Sequence, residues 1–262
     1  MKKLLLLILI LIFINCSNKK QEQPINKEAT IDKSEVLDSK AENIDKELTA
    51  LYDSVSVSFY GESSEKYLPL FQEKLETYLA DSLTFYNELD SLSSRIRILT
   101  SKDGLVKIYS YDDMSGGSMR YDQSYIQYKA DDIIHYKMME DYGLVSDIYD
   151  FKYQDKPYYL VISNAKCGGN CGSTNLRIYL LEGDNIVQTG KLFPKDRFNN
   201  KESENGYVDG DIFTIHKYSF GVLTYNFEEL RFDSDKRIVS YDEWNVEDKT
   251  KGDRISFELK EY

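Results

Sequence analysis

The sequence contains few of the residues that most often build catalytic and metal sites. Its 262 residues include two histidines, three cysteines, four prolines and one tryptophan. Neither a G-x-S-x-G, an H-E-x-x-H nor a glycine-rich phosphate loop occurs. His135 and His216 each lie within a strand-like pattern, which is typical of ordinary sheet residues. The sequence therefore predicts a non-enzymatic protein without a cofactor or a bound metal.

Positive charge is also scarce, and this limits the partners of the chain. The formal net charge is -12, and it becomes -14 without residues 1–15, which carry only Lys2 and Lys3. An acidic body repels phosphate backbones, so we expect no nucleic-acid partner. It is also repelled by an anionic lipid surface, so any attachment to a membrane should be covalent.

The N-terminus carries the strongest motif. Lys2 and Lys3 precede eleven unbroken apolar residues, Leu4–Ile14, and Asn15-Cys16-Ser17 follow. The apolar run suits a signal peptide and is too short for a membrane-spanning helix, which needs ~20 residues. A signal peptide that ends in cysteine resembles the leader of a bacterial lipoprotein. The resemblance implies that residues 1–15 are removed and that Cys16 is diacylated, becomes the new N-terminus and is N-acylated.

The same resemblance implies a location. Ser17, directly after the cysteine, is similar to the sorting pattern for the outer membrane of a Gram-negative bacterium, and an acidic run typical of surface display does not follow. We therefore expect a lipid-anchored protein in the cell envelope, facing the periplasm. An ordinary signal peptide or an uncleaved anchor is the alternative interpretation of this leader.

Polar and then helical patterns follow the leader. Residues 16–40 are polar, mixed in charge and free of aromatics, which predicts a disordered tether. Over residues 41–94 apolar side chains recur every three or four positions, which predicts an antiparallel helical hairpin. We expect the first helix to run from Ala41 towards Gly61, and the second to start near Leu68 with Pro69 in its first turn and to continue to Leu92.

From Arg95 onward the apolar period becomes two, which predicts an antiparallel β domain over residues 95–262. Tyr158–Leu181, with two apolar runs around a Gly- and Cys-containing loop, is typical of a buried hairpin. The fold class is thus α+β: a helical hairpin followed by a β-meander of propeller-blade-like hairpins, forming an open or rolled sheet rather than a closed propeller. The predicted strands are Arg95–Thr100, Leu105–Tyr111, Ser124–Lys129, Ile133–Met138, Ser146–Tyr153, Tyr158–Ser163, Asn175–Glu182, Ile186–Leu192, Ile212–Tyr218, Val222–Phe227, Glu229–Asp233, Arg237–Tyr241 and Arg254–Lys260.

One stretch of this β region resembles a known sequence pattern. SKDGLVKIYSYDDMSGGSMRYDQSYIQYK, roughly residues 100–130, resembles uncharacterised β-rich lipoproteins, in which a DG turn and a YSYD strand lead to a GG turn and a YQYK strand. That resemblance implies a class of protein but no activity. The 22 tyrosines suit half-buried strand positions, and a ligand-binding aromatic face is the alternative.

Cys167 and Cys171 are an even pair in an exported chain. The flexible spacer Gly168-Gly169-Asn170 lets the two cysteines approach, so a disulfide at the hairpin tip is the favoured interpretation in an oxidising envelope. A reduced pair, a redox site and half of a metal site are the alternatives. The acidic pairs are interpreted as solvated turn residues rather than calcium ligands. These are Asp112-Asp113, Asp131-Asp132 and Asp209-Gly210-Asp211.

Three functional hypotheses follow from the sequence. The first is a binding or scaffolding module whose specificity lies in the loops Cys167–Thr174 and Asp112–Gln123, with envelope proteins as partners. The second is binding of glycan or peptidoglycan on a tyrosine-rich sheet face. The third is a hydrolase that uses a pair of carboxylates, which the abundance of Asp and Glu leaves unassigned.

Overall fold

The computed structural model describes residues 33–57, 62–114, 122–140, 143–166, 171–198, 206–220, 223–224, 230–245 and 250–262. The chain divides into two compact units, Met1–Leu37 and Asp38–Tyr262. Only residues 33–37 of the first unit are described, as the start of a helix. All sheets and the remaining helices belong to the second unit.

The first helix, α1, is longer than the sequence pattern predicted. It runs over Lys33–Ser56, so the prediction of a tether over residues 16–40 is wrong for residues 33–40, and residues 16–32 lie outside the described part. Residues 33–40 are polar but are mostly ordinary helix formers. Extending an existing helix through such residues costs little, since only nucleation of a helix is expensive.

The second helix, α2, runs over Glu62–Ala80, and Pro69 lies inside it rather than in its first turn. A proline there removes one backbone hydrogen bond and costs about 3 kcal/mol. The packing of α2 compensates, because the side chains of Phe71, Leu75 and Leu79 are completely buried. Two contacts, Tyr52 with Phe71 and Glu47 with Lys74, run in opposite order along α1 and α2, as in an antiparallel pair.

The predicted continuation of the second helix to Leu92 is wrong. Asp81 ends the regular helix because its carboxylate accepts a hydrogen bond from Leu83 N and caps a short 3₁₀-helix, Ser82–Tyr86. One further helical turn, α3, spans Asp90–Ser93. This break gives the chain an irregular segment, residues 87–89, against the first strands.

The described residues form fourteen strands in three open antiparallel sheets, which confirms the predicted class of fold. Twelve of the thirteen predicted strands lie within a few residues of an observed strand. The prediction Val222–Phe227 is described only at Leu223–Thr224, and Ile186–Leu192 ends earlier, at Gln188. The three-residue strand Tyr207–Asp209 was not predicted.

The strands are numbered along the chain and grouped by sheet. Sheet A is a four-stranded meander; sheet B has seven strands, with β7 central and paired to β6 on one side and to β10 and β8 on the other; sheet C is a three-stranded meander. Sheet A contains β1 Arg97–Thr100, β2 Val106–Asp112, β3 Asp122–Ala130 and β4 Ile133–Met139. Sheet B contains β5 Leu144–Tyr153, β6 Lys156–Lys166, β7 Cys171–Glu182, β8 Asn185–Gln188, β9 Tyr207–Asp209, β10 Ile212–Phe220 and β11 Leu223–Thr224. Sheet C contains β12 Arg231–Asp233, β13 Ile238–Asn245 and β14 Thr250–Glu258.

Three apolar clusters hold these layers together. The first lies between the helices and sheet A, the second between sheets A and B, and the third between sheets B and C. Alternation along the strands explains this layering, since Tyr109 faces the helices whereas its neighbour Ile108 faces sheet B. Both sheets A and B are covered on two faces, and their central strands are accordingly apolar on both.

The tyrosines belong mainly to these interfaces. Ten of the described tyrosines are buried, and only Tyr86, Tyr136 and Tyr262 are exposed. Burial raises the pKa of Tyr111 to about 12 and raises the pKa of Tyr109 and Tyr159 further. Their hydroxyls therefore stay protonated and donate hydrogen bonds, for example from Tyr159 to Asp103 Oδ2 at 2.9 Å. For these residues the structural interpretation is correct, and no tyrosine-rich surface forms on the described sheets.

Candidate functional site: a cavity beside Lys107

A cavity of about 460 Å³ lies between the segment that follows the 3₁₀-helix and the first two strands of sheet A. One wall is continuous in sequence, and the other is formed by β1 and β2. The side chains that line it are Tyr86, Asn87, Glu88, Leu89, Asp90, Ser93, Ile98, Thr100, Lys107 and Tyr109. Its volume lies within the ~300–1,000 Å³ that is usual for small-molecule sites.

The first wall is fixed from a distance by helix α1. The buried carboxylate of Asp45 accepts hydrogen bonds from the backbone N–H groups of Ser91 and Leu92, both at 2.9 Å. These are N–H groups at the start of α3, which have no partner within their own helix. Leu89 and Leu92 are buried beside this contact. Asp45 thus acts as a long-range helix cap that holds the segment 87–93 in place.

Lys107 supplies the positive charge of the cavity. Its Nζ donates a hydrogen bond to the carbonyl oxygen of Asn87 at 3.2 Å and lies 5.6 Å from the centroid of the Phe85 ring. Burial lowers the pKa of Lys107, and the charge of Glu88 opposes that shift. An ammonium group has three N–H donors. Within the described residues one of them has a partner, so two remain to bind a ligand.

Tyr86 forms an exposed aromatic wall. Its side chain is 67% exposed, the largest fraction among the described tyrosines. The ring is oriented by an edge-to-face contact with Phe85, with 5.4 Å between ring centroids. Lys129 Nζ lies 6.0 Å from the Tyr86 centroid, and the hydrogen bonds that Lys129 donates to Asp132 and Tyr86 raise the pKa of Lys129. A large apolar ring held in this way in solvent is a suitable contact surface for a ligand.

The remaining polar groups of the cavity are acceptors and hydroxyls. Glu88 and Asp90 are exposed carboxylates, and Ser93 and Thr100 contribute hydroxyl groups. The cavity therefore combines one cation, two anions and two tyrosine rings, of which that of Tyr86 is exposed and that of Tyr109 is buried. Such a wall can bind a ligand that both donates and accepts hydrogen bonds.

The predicted cysteine sites fall outside the part that can be described. Cys16 and Cys167 lie outside the described residues, and Cys171 is described only by its backbone, as the first residue of β7. The lipidation of Cys16 and the disulfide between Cys167 and Cys171 therefore stay predictions.

The histidines lie in strands, as predicted. His135 is on β4 and its ring stacks on that of Tyr128, with centroids 5.3 Å apart. His216 is on β10, where it pairs with Ser173. Cross-strand stacking of this kind is ordinary sheet packing.

The interpretation of the acidic pairs as solvated turn residues is correct for Asp131-Asp132 and Gly210-Asp211, which are exposed turn residues. It is wrong for Asp112-Asp113, because Asp112 is the last residue of β2 and Asp113 is only 7% exposed. Asp112 Oδ1 accepts a hydrogen bond from Met114 N at 2.8 Å, and Asp211 Oδ1 accepts one from Gly190 N at 2.7 Å. Asp131 and Asp132 have positive φ angles in the turn between β3 and β4. Within the described ranges no group of three or more His, Cys, Asp or Glu is placed to bind a metal, and no helix has the length and hydropathy to cross a membrane.

The two loops proposed to carry specificity emerge at one end of sheets A and B. Val145 N donates a hydrogen bond to Ser110 Oγ at 3.0 Å, and Val145 pairs with Ser163 across β5 and β6. Ser110 precedes the first loop by two residues, and Ser163 precedes the second by four. Residues 115–121 and 167–170 lie outside the described part, so these loops are located only by the strands that carry them.

Sequence reasoning missed the cavity because its walls come from separate elements. Lys107 alternates with apolar residues in VKIYSY and was interpreted only as a strand residue, and YNELDS was assigned to a continuous helix. The available signal was Asp81-Ser82, a pair that favours a helix cap and that interrupts the apolar series.

The chain matches no protein-family profile, no curated protein sequence and no solved structure.

Proposed function

We propose that this chain is a lipid-anchored protein of the bacterial cell envelope whose folded part is a binding module. The anchor is supported by Lys2-Lys3, the apolar run Leu4–Ile14 and Cys16. Acyl chains on one cysteine give stable attachment because each buried CH₂ contributes about 0.8 kcal/mol. Ser17 favours the outer membrane, with the body facing the periplasm.

Binding rather than catalysis is the role that the geometry supports best, and one observation carries it. The cavity beside Lys107 combines an exposed aromatic ring, a lysine that has free donors and the segment 87–93, which Asp45 fixes. A rigid wall loses little conformational entropy when a ligand binds, so it favours affinity. A purely scaffolding role with envelope proteins would instead use the outer surface and leave this cavity empty.

Binding of glycan or peptidoglycan is the second candidate. It no longer rests on a tyrosine-rich sheet face, because most described tyrosines are buried. It rests on Tyr86, which offers one exposed ring beside polar groups. A carboxylate-based hydrolase is the third candidate, and Glu88 and Asp90 are the acids to test for it. Loss of glycan hydrolysis in Glu88→Gln or Asp90→Asn with unchanged folding would support it.

The anchor predicts complete dependence on one cysteine. When cells are grown with a clickable fatty acid, the wild-type protein is expected to carry the label and to sediment with the outer membrane. Cys16→Ser is expected to abolish the label, because no other residue of the motif can form the thioether.

Cys171→Ser is the matched control, since it removes a cysteine outside the leader and should keep the label. Equal labelling of the wild type and Cys16→Ser would contradict lipidation at this site. Retention of label in both variants would indicate acylation elsewhere and would require a different anchor.

The binding role predicts a ligand whose affinity depends on Lys107. We expect calorimetric titration of the full chain in detergent micelles with amino acids, short peptides, nucleotides and saccharides to find at least one saturable binder. Lys107→Met is expected to weaken that binding by about tenfold or more, because a hydrogen bond from a charged donor contributes roughly 1.5–3 kcal/mol.

Lys102→Met is the control, because Lys102 is an exposed lysine on the turn before β2 and does not line the cavity. Melting temperatures of both variants establish that the fold is intact. The absence of any binder, or a binder to which Lys107→Met and Lys102→Met respond alike, would contradict the proposed site.

A further inference from the structure

We infer that the cavity beside Lys107 binds an uncharged saccharide, with Tyr86 as the surface on which one sugar ring lies. This inference rests on the proposed binding function and adds to it the chemical class of the ligand. It is carried by three properties of the cavity wall: an exposed aromatic face, a mixture of donors and acceptors, and a charge that is balanced to within one unit.

The aromatic face matches one side of a sugar ring. A pyranose presents C–H groups on its faces and hydroxyl groups around its edge, so it can lie flat on an aromatic ring while its edge binds polar groups. Tyr86 is 67% exposed, and its ring is oriented by Phe85. An aromatic contact of this kind is typically favourable by about 0.5–1.5 kcal/mol beyond the area that it buries.

The polar groups match the edge of the ring. A hydroxyl group both donates and accepts hydrogen bonds, and neighbouring hydroxyls of a sugar can pair with a cation and a carboxylate at once. Lys107 offers donors, and Glu88 and Asp90 offer acceptors around the same opening. A purely apolar ligand would leave these groups without partners, at the cost of their hydration.

Charge excludes the ionic alternatives among polyhydroxylated ligands. Glu88, Asp90 and a chain of net charge -12 repel an anionic sugar as it approaches. The same field attracts a cationic amino sugar, but an ammonium group has no acceptor for the free donors of Lys107 and is repelled by that lysine at contact distance. An uncharged sugar avoids both repulsions, and the volume of about 460 Å³ suits a short oligosaccharide.

The test uses matched oligosaccharides on the full chain in detergent micelles, followed by calorimetry. The set contains neutral glucan, mannan and N-acetylglucosamine oligomers, the de-N-acetylated cationic form of the last, and a uronic-acid oligomer of equal length. We expect saturable binding by a neutral member. Tyr86→Ala should weaken it by about threefold to tenfold, whereas Tyr86→Phe, which keeps the ring, should bind nearly as the wild type does.

Tyr136→Ala is the control, because Tyr136 is an exposed tyrosine on β4 that does not line the cavity. Preference for the anionic or cationic oligomer, or equal binding by Tyr86→Ala and the wild type, would overturn the inference. A non-saccharide ligand that depends on Lys107 would also overturn it while leaving the binding function intact. A failure of every compound class would contradict both.

Discussion

Phe213→Ala is expected to lower the free energy of unfolding by about 3–5 kcal/mol, the usual loss when a buried phenylalanine is truncated. Phe213 on β10 is completely buried. Among the described residues, four other aromatic rings surround it, with centroid distances of 4.9 to 5.9 Å. They are Phe193, Phe198, Tyr241 and Phe257.

The position of these rings explains why the loss should be large. Phe213 lies on sheet B, Tyr241 and Phe257 lie on sheet C, and Phe193 and Phe198 lie on the connection between β8 and β9. Truncation therefore opens a cavity at a junction of three parts of the chain. The surrounding strands are fixed by their ladders and can collapse into it only in part.

Urea unfolding followed by circular dichroism measures the effect. Phe213→Leu should lose much less than Phe213→Ala, because leucine fills most of the volume. Tyr86→Ala is the control for removal of an exposed ring, and its effect should stay within about 0.5 kcal/mol. A loss below about 1 kcal/mol for Phe213→Ala would show that sheets B and C do not pack through this residue.

Sequence was a good guide to the strands because their signals are local. The turn Lys102-Asp103-Gly104 fits the sequence because Gly104 adopts a φ of +72°, and Gly183 has a φ of +60° in the turn before β8. Alternation then places Ile108 and Tyr109 on opposite faces of β2. The short strand β9 had no such signal, because three residues have almost no period and pair only through their contact with β10.

The helical region was harder to predict because tertiary contacts override local pattern there. Pro69 favoured a helix start, yet the burial of Phe71, Leu75 and Leu79 after it, with partly buried Tyr67 and Leu68 before it, outweighs that preference. The cavity depends on a hydrogen bond between residues that are even further apart in the sequence. Asp45 is 46 residues from Ser91, and nothing local to either residue indicates the hydrogen bond between them. The order of the strands in sheet B likewise followed only from the structure, because β10 pairs with β7 although β8 and β9 lie between them in sequence.

Asp45→Ala is expected to destabilise the fold by about 2–4 kcal/mol. A hydrogen bond to a charged acceptor contributes roughly 1.5–3 kcal/mol, and a donor that is shielded from water and loses its acceptor keeps the cost of its lost hydration. Both N–H groups that it caps, those of Ser91 and Leu92, lose their acceptor together. Alanine also leaves a gap at a residue that is only 6% exposed. Urea unfolding and calorimetry of the full chain measure the change.

Two variants calibrate this result. Asp45→Asn keeps one side-chain oxygen and loses the charge, so its stability should lie between those of the wild type and Asp45→Ala. Asp81→Ala removes a single exposed cap, the hydrogen bond from Leu83 N, and should cost about 0.5–2 kcal/mol. Equal effects of Asp45→Ala and Asp81→Ala would mean that the long-range cap contributes no more than a local one.

The same substitution separates stability from the geometry of the cavity. Asp45 does not line the cavity, but it holds the segment that carries Glu88 and Asp90. At a temperature where Asp45→Ala is still folded, this variant should bind the cavity's ligand more weakly than the wild type does. Part of the binding free energy is then spent on ordering the wall. Phe213→Leu loses stability between sheets B and C, does not line the cavity and should bind normally at the same distance below its melting point. Normal binding by Asp45→Ala would show that the wall keeps its shape without the cap, and the role of Asp45 would then be stability alone.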